Sequence, residues 1–246
     1  MSSSVRVVVA GASGRTGSAV TRGLLSAEGV EVVGAVGQRH AGEPLSAFTG
    51  VATPLQVEAD LRACLERERP DVLVDFTLPA VAGGHALLAL ELGVRPIVGT
   101  TGLADEELEA IRQRAHELRL GAAVIPNFSF GILLLGRFAR EAVRFFPKVE
   151  VVELHHDTKL DVPSGTALHL SEALAAAGAR SPVPIHSVRL PGFVARHTLI
   201  FGGTGETLTL THDSSSRDSF APGVLLAVRR ILHVDHAVFD LAELAG

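Results

Sequence analysis

Apolar and polar positions along the first half of the chain fall into alternating blocks. VRVVVAG (5–11) is continuously apolar and stops at a glycine, which predicts a strand buried on both faces. EVVGAV (31–36), DVLVDF (71–76), RPIVGT (95–100) and AAVIP (122–126) repeat that pattern. Helical spacing predicts helices over 15–28, at LRACLERE, around 80–92 and over 104–119, while Gly, Pro, Ser and Thr make 37–56 a loop. A βαβ series of this kind predicts a doubly wound α/β domain with a parallel sheet.

The pattern then changes. Residues 129–146 read as a helix, VEVVELHH as a strand and SGTALHLSEALAAAGA as a helix. IHSVRL, HTLIF and ETLTLTH follow as strand-like runs on short turns such as FGGTGE, which predicts an antiparallel or mixed sheet and hence a second, α+β domain. FAPGVLLAVRRIL reads as a last long helix packing back on the first domain. The expected division is 1–127 plus 217–246 for the first domain and 128–216 for the second.

Composition narrows the function classes. With 246 residues, 47% apolar, the chain can bury a sizeable core, and a net charge of -5 gives no reason to expect nucleic acid or an anionic membrane as partner. Runs such as GILLLG are too short to span a bilayer, and the N-terminus does not read as a signal peptide, so the expected location is cytoplasmic. Cys64 is the only cysteine and reads as core filler, and no metal site is expected. Only Lys148 and Lys159 are lysines among 22 basic residues, and Asn127 is the only asparagine. Where arginine serves for nearly every cation, a retained lysine points to a need for a compact ammonium.

Gly11, Gly14 and Gly17 in GASGRTG follow the first strand and open a helix. Close backbone approach to a pyrophosphate needs such glycines, and the helix start supplies N–H groups and its positive dipole end. The second strand ends AVGQRH, with Gly37 where an acid would grip a ribose and Arg39 two residues on, near Arg15. This favours NADPH over NADH, with use of both as the alternative. DFTLP and GTTG end two further strands at the ligand-binding edge of such a sheet, which brings in Phe76, Thr77, Gly99, Thr100 and Thr101 as cofactor contacts.

HHDTKLDVPSGTA (155–167) concentrates positive groups. Ser164, Gly165 and Thr166 open a helix and suit a carboxylate. Lys159 can hold a second carboxylate or stabilise developing charge, and His155 can give a proton. Asp161 reads as orienting its neighbours. Adjacent strand residues point to opposite faces, so His155 and His156 cannot easily share a metal ion.

ELHHDTKLDVPSGTA, with GASGRTG, VDFTLP, VGTTG and IPNFSFG in the same order and FGGTGETLTLTHDSSSRDSFAPGVLLAVRRI near the end, resembles the 4-hydroxy-tetrahydrodipicolinate (dihydrodipicolinate) reductase family over nearly the whole chain. The resemblance implies an N-terminal Rossmann domain completed by the C-terminal helix, and a substrate domain that builds a homotetramer. It implies reduction by NADPH or NADH of a cyclic imine dicarboxylate in diaminopimelate and lysine biosynthesis. It places His155 as acid, with Lys159 beside it, and His156, Ser164, Gly165 and Thr166 on the substrate. The cofactor contacts it implies include Ala12, Ser13, Arg15 and Thr16 in the glycine loop, and Pro126, Asn127 and Phe128 by the nicotinamide. Hinges are expected near 127 and 217. Two departures stand out: Ser13 replaces a common glycine, and Gly37 stands where many members carry an acid. The rival readings are another two-domain dehydrogenase of the aspartate or homoserine type, which leaves HHDTKLDVPSGT unexplained, and a non-catalytic NADPH-sensing regulator.

Overall fold

The computed structural model describes residues 4–246 and divides the chain into two compact units, Met1–Phe128 with Phe220–Gly246, and Ser129–Ser219. The first unit runs β1 (Val5–Ala10), α1 (Arg15–Leu25), β2 (Val30–Val36), α2 (Ser46–Thr49), β3 (Val57–Glu58), α3 (Leu61–Glu68), β4 (Val72–Asp75), α4 (Pro79–Glu91), β5 (Arg95–Val98), α5 (Asp105–Leu118) and β6 (Ala122–Val124). The second holds α6 (Phe130–Val143), β7 (Lys148–His155), α7 (Gly165–Ala176), β8 (Ile185–Arg189), β9 (Ala195–Gly203) and β10 (Glu206–Ser214). The chain returns to the first unit with α8 (Ala221–Arg230), β11 (Ala237–Val238) and α9 (Leu241–Ala245).

The first unit is the expected Rossmann-type sheet, parallel throughout, in the order β11-β6-β5-β4-β1-β2-β3. Strand order reverses between β1 and β4, so the loops leaving those two strands flank a crevice at the C-terminal edge, where such sheets bind nucleotides. Continuous Val and Ala runs make this possible: Val7, Val8, Val9 and Val72, Leu73, Val74 are all fully buried. Local signals set the helix ends. Asp60 caps α3 by accepting from Ala63 N at 3.1 Å, α4 opens on Pro79, and Glu107 accepts from Ala104 N at 2.9 Å to box the start of α5. Cys64 packs with Leu61 and Leu65, and burial together with nearby Glu58 pushes its thiol up to about 12, so it is a core residue.

The C-terminal segment completes this unit. A Cβ on Gly223 would lie 1.9 Å from the Phe128 carbonyl oxygen, and one on Gly23 would lie 2.5 Å from the Ala221 Cβ, so α8 sits at backbone distance from both neighbours. That packing, with the Phe128 ring 5.9 Å from Phe76, places Phe128 in the first unit and not at the start of the second. Residues 217–219, expected in the first domain, fall in the second, where Ser219 Oγ meets Ser214 Oγ at 2.6 Å.

The second unit is a four-stranded mixed sheet, ordered β10-β9-β7-β8. β9 is antiparallel to both β7 and β10, but β8 is parallel to β7, reached through α7 as a βαβ unit. The helices α6 and α7 supply Ile132, Leu135, Ala139, Leu170 and Leu174 to a core shared with Val149, Val151, Leu199 and Phe201 of the sheet. The opposite sheet face carries Val152, Leu154, Thr198, Ile200 and Thr209 in partial or full exposure.

Candidate active site

In the first unit the glycine loop is built by backbone contacts that side chains would forbid. Gly11 has φ +76° and its missing Cβ would lie 2.6 Å from the Phe76 carbonyl oxygen; a Cβ on Gly17 would lie 2.0 Å from the Gly11 oxygen. Gly14 N donates to the Gly11 oxygen at 2.9 Å and caps α1, with no side-chain cap on that terminus. Compact turn and uncapped helix start together fit a pyrophosphate. Ala12 is buried, Ser13 and Thr16 are half-buried, and Arg15 is exposed.

Across the crevice, Asp75 at the end of β4 is fully buried. Its Oδ1 accepts from Thr77 N at 2.8 Å and Thr77 Oγ1 at 2.6 Å, and its Oδ2 pairs with His85 Nδ1 at 2.7 Å. This carboxylate fixes the DFTLP turn. Thr100 Oγ1 donates to the Thr77 carbonyl at 3.2 Å, and the Phe76 ring covers Gly99 so closely that a Cβ there would lie 2.2 Å from it. Phe76, Thr77, Gly99 and Thr100 are thus brought together, with Thr101 exposed beside them. Pro126 and Asn127 are half-buried between β6 and Phe128. Asp75 and His85 have no place in the motif reading, although an acid that closes an apolar strand is the signal that could have found them.

Arg39 is exposed, on a 3-10 turn (Gln38–His40) directly after β2. A Cβ on Gly37 would sit 3.0 Å from Ser13 Oγ and 3.3 Å from Val57 Cγ1. The two departures from the family pattern are therefore neighbours: the serine occupies space that a side chain at 37 would need.

In the second unit β7 ends at His155, so His156 lies just beyond it and not within the expected strand. His155 is buried, and its Nδ1 meets Glu153 Oε2. The fully buried Glu153 also receives Arg189 Nη2 at 2.7 Å and Ser164 N at 3.3 Å on Oε1. Burial alone would push this carboxyl up, but the hydrogen bond from Arg189 and the neighbouring His155 hold it at about 2. For His155, burial lowers the pKa below the usual value against the pull of Glu153, and Lys159 and Arg189 add to the lowering. His197 of β9 packs edge-on to His155, ring centroids 5.3 Å apart, with no hydrogen-bond partner on either nitrogen; burial first, then His155, drives it down to about 3.

His156 points elsewhere, to Thr158 Oγ1 at 2.8 Å from Nδ1. Lys159 Nζ lies 2.7 Å from Asp161 Oδ1, and the Gly165 N–H also favours the ionised Asp161, whose pKa is lowered although burial opposes this. The Asp161 carboxylate thus rests on both the lysine and the start of α7. Ser164 caps that helix by accepting from Ala167 N at 3.3 Å, and its own N–H is committed to Glu153. Glu153, Arg189 and His197 were missed by the motif reading. Glu153 shares the face of His155 by strand alternation, a legible signal; Arg189 arrives from 36 residues away, which no local pattern shows.

Comparison with known proteins identifies the family. The family pattern "Dihydrodipicolinate reductase, N-terminus" matches residues 5–128, and "Dihydrodipicolinate reductase, C-terminus" matches residues 131–244. The chain belongs to the dihydrodipicolinate reductase family. Its relatives in this family include the 4-hydroxy-tetrahydrodipicolinate reductases of Moorella thermoacetica, 43% identical over 99% of both chains, and of Geobacillus kaustophilus, 41% identical over 98% of both. Among solved structures it is similar to a dipicolinate-bound dihydrodipicolinate reductase from Paenisporosarcina sp. TG-14, with TM-score 0.83, 33% identity and coverage of 98% of this chain and 99% of that one. An amine dehydrogenase from Mycobacterium smegmatis shares the fold at TM-score 0.74 and 14% identity. Family membership makes this chain a Rossmann-type oxidoreductase that works with a nicotinamide cofactor.

Proposed function

We propose that the protein reduces 4-hydroxy-tetrahydrodipicolinate, a cyclic imine dicarboxylate, to tetrahydrodipicolinate in diaminopimelate and lysine biosynthesis. One observation carries the reading furthest: a carboxylate, that of Asp161, already rests on Lys159 and the start of α7, beside a buried histidine. The same groups suit a carboxylate of the substrate, with His156, Ser164, Gly165 and Thr166 positioning the dianion.

When bound, the reduced nicotinamide supplies a hydride. Gly11, Ala12, Ser13, Gly14, Arg15, Thr16 and Gly17 would hold its pyrophosphate, and Phe76, Thr77, Gly99, Thr100, Thr101, Pro126, Asn127 and Phe128 its ribose and nicotinamide end. Once the 4-hydroxyl has left as water, hydride addition to a ring carbon of the conjugated imine drives electrons toward the ring nitrogen, which leaves an enamine-like species in need of a proton. His155 gives that proton. The two negative charges of the substrate offset the burial that lowers its pKa, so it becomes charged as the dianion arrives. Lys159 stabilises developing charge and holds a carboxylate.

NADPH is the favoured cofactor. Gly37 brings no carboxylate against a 2′-phosphate, Ser13 fills the space a side chain there would take, and Arg39 stands exposed at the end of β2. Arg39→Ala is expected to weaken NADPH binding about tenfold while NADH binding stays within twofold, read by titrating cofactor fluorescence; the order is that of one charge-assisted contact. Equal losses for both cofactors would contradict the assignment.

Pyridine-2,6-dicarboxylate, a planar dianion, is expected to bind and to compete with the imine. Thr166→Val, which removes a hydroxyl at the start of α7, is expected to raise KM several-fold and leave cofactor affinity unchanged. Absence of competition by this dianion would move the carboxylate site elsewhere. The enzyme is further proposed to be a cytoplasmic homotetramer, assembled through the sheet face of the second unit that α6 and α7 leave uncovered. No helix among the described residues is long and apolar enough to cross a membrane.

A further inference from the structure

The Glu153 carboxylate joins three elements at one point. It lies on β7, two residues before His155 and on the same face of the strand. Oε2 meets His155 Nδ1, while Oε1 accepts from Arg189 of β8 at 2.7 Å and from Ser164 N, at the cap of α7, at 3.3 Å. Arg189 is anchored in turn, with Nη1 on the Val188 carbonyl at 2.9 Å and Nη2 on the Asp161 carbonyl at 2.8 Å. The register sets Glu153 opposite His197, whose ring closes the other side of His155 without a hydrogen bond of its own.

We propose that Glu153, clamped by Arg189, is a positioning residue that fixes His155 with Nδ1–H toward the carboxylate and leaves Nε2 as the nitrogen that delivers the proton. This rests on the reading of His155 as the proton donor. An ionised carboxylate can only accept, so the nitrogen facing it carries the hydrogen, and the imidazole tautomer follows. His197 cannot compete for that hydrogen, because Glu153 already holds it. Through Ser164 the same carboxylate sets the proton donor in register with the helix start that receives the substrate. A buried ion pair is a poor source of stability compared with apolar packing of equal volume, so fold support alone is a weak reason for Glu153 and Arg189 to occupy this position.

The groups facing His155 are Glu153 on its own strand, Arg189 from β8, His197 from β9 with His212 of β10 beyond it, and Lys159 from the loop that follows. Glu153 alone favours the charged ring; Arg189 and Lys159 oppose it. The two partners therefore predict opposite shifts. In Glu153→Gln the carboxylate charge is gone and the His155 pKa falls by about one pH unit or more. In Arg189→Gln a neighbouring cation is gone and the pKa rises.

The experiment is a pH titration of protein labelled with 15N-histidine, followed by NMR of the ring nitrogens in the wild type and both variants, with His155 assigned from His155→Gln. The expected result is the Nδ1–H form in the wild type at neutral pH, a lower pKa in Glu153→Gln and a higher one in Arg189→Gln. The kcat–pH profile shifts in the same directions and KM changes by less than threefold. A wild-type ring protonated on Nε2 alone, or folded variants whose His155 pKa does not move, would overturn the proposal. If Glu153→Gln does not fold, the wild-type tautomer and the Arg189→Gln titration decide it. The titration needs no turnover, so a wild type that fails to oxidise NADPH with the imine would count against the reductase reading and leave this result standing.

Discussion

His155→Gln lowers kcat by about 10²–10⁴-fold, the usual cost of losing a general acid, and leaves the affinity for pyridine-2,6-dicarboxylate within about threefold. His155 ends β7 with its Nδ1 committed to Glu153, whereas the carboxylate-holding groups, Lys159 and the start of α7, lie on the segment that follows. Glutamine keeps a polar side chain of similar reach and can still donate to Glu153, so the fold and the dianion site persist. What it cannot do is give up a proton near neutral pH. The kcat–pH profile of the variant should lose the limb on which wild-type activity falls as the pH rises. A full loss of dianion binding with kcat unchanged would instead make His155 a substrate clamp.

Acid weakens the fold, and His197 sets part of the slope. Its folded pKa is depressed to about 3 by burial, against an ordinary value near 6.5 in the unfolded chain. Between those values the unfolded state holds the proton and the folded state does not. Stability therefore falls as pH drops below about 6.5 and levels off near 3, by at most about 1.4 kcal/mol per pH unit for this one group. Glu153, held at about 2, adds a second loss only below its ordinary value of 4.5. Both nitrogens of His197 lack a partner, so His197→Leu removes the titration without breaking a hydrogen bond. Between pH 7 and pH 5 the variant is expected to lose about 2 kcal/mol less than the wild type, read from urea unfolding at each pH. Parallel losses in the two proteins would show that His197 is protonated in the folded state.

The strands that carry the cofactor loops were legible because burial on both faces demands unbroken apolar runs: β1, β2, β4, β5 and β6 all follow VRVVVA-like segments. β3 and β11 were not, since two residues each give no periodicity, and their pairing with Ala35–Val36 and Ala122–Ala123 is a tertiary fact. The same limit hid the parallel pairing of β8 with β7. Consecutive strands suggested hairpins, but only β9 and β10 form one. At the site, the glycines, His155 and Lys159 were readable because turn geometry and charge concentration act locally. Arg189 and His197 were not, because each reaches His155 across the sheet from a separate strand. His155 and His156 are adjacent in sequence, yet the end of β7 separates them, one buried on Glu153 and the other beyond the strand at Thr158.

The most direct test couples the wild-type protein to the synthase that makes the cyclic imine and follows cofactor oxidation, with NADPH and NADH in parallel. The account predicts oxidation that depends on the imine, with NADPH used at least as well as NADH, and inhibition by pyridine-2,6-dicarboxylate. Tight NADPH binding with no imine-dependent oxidation would contradict it and make the protein a nucleotide-binding regulator built on a reductase fold.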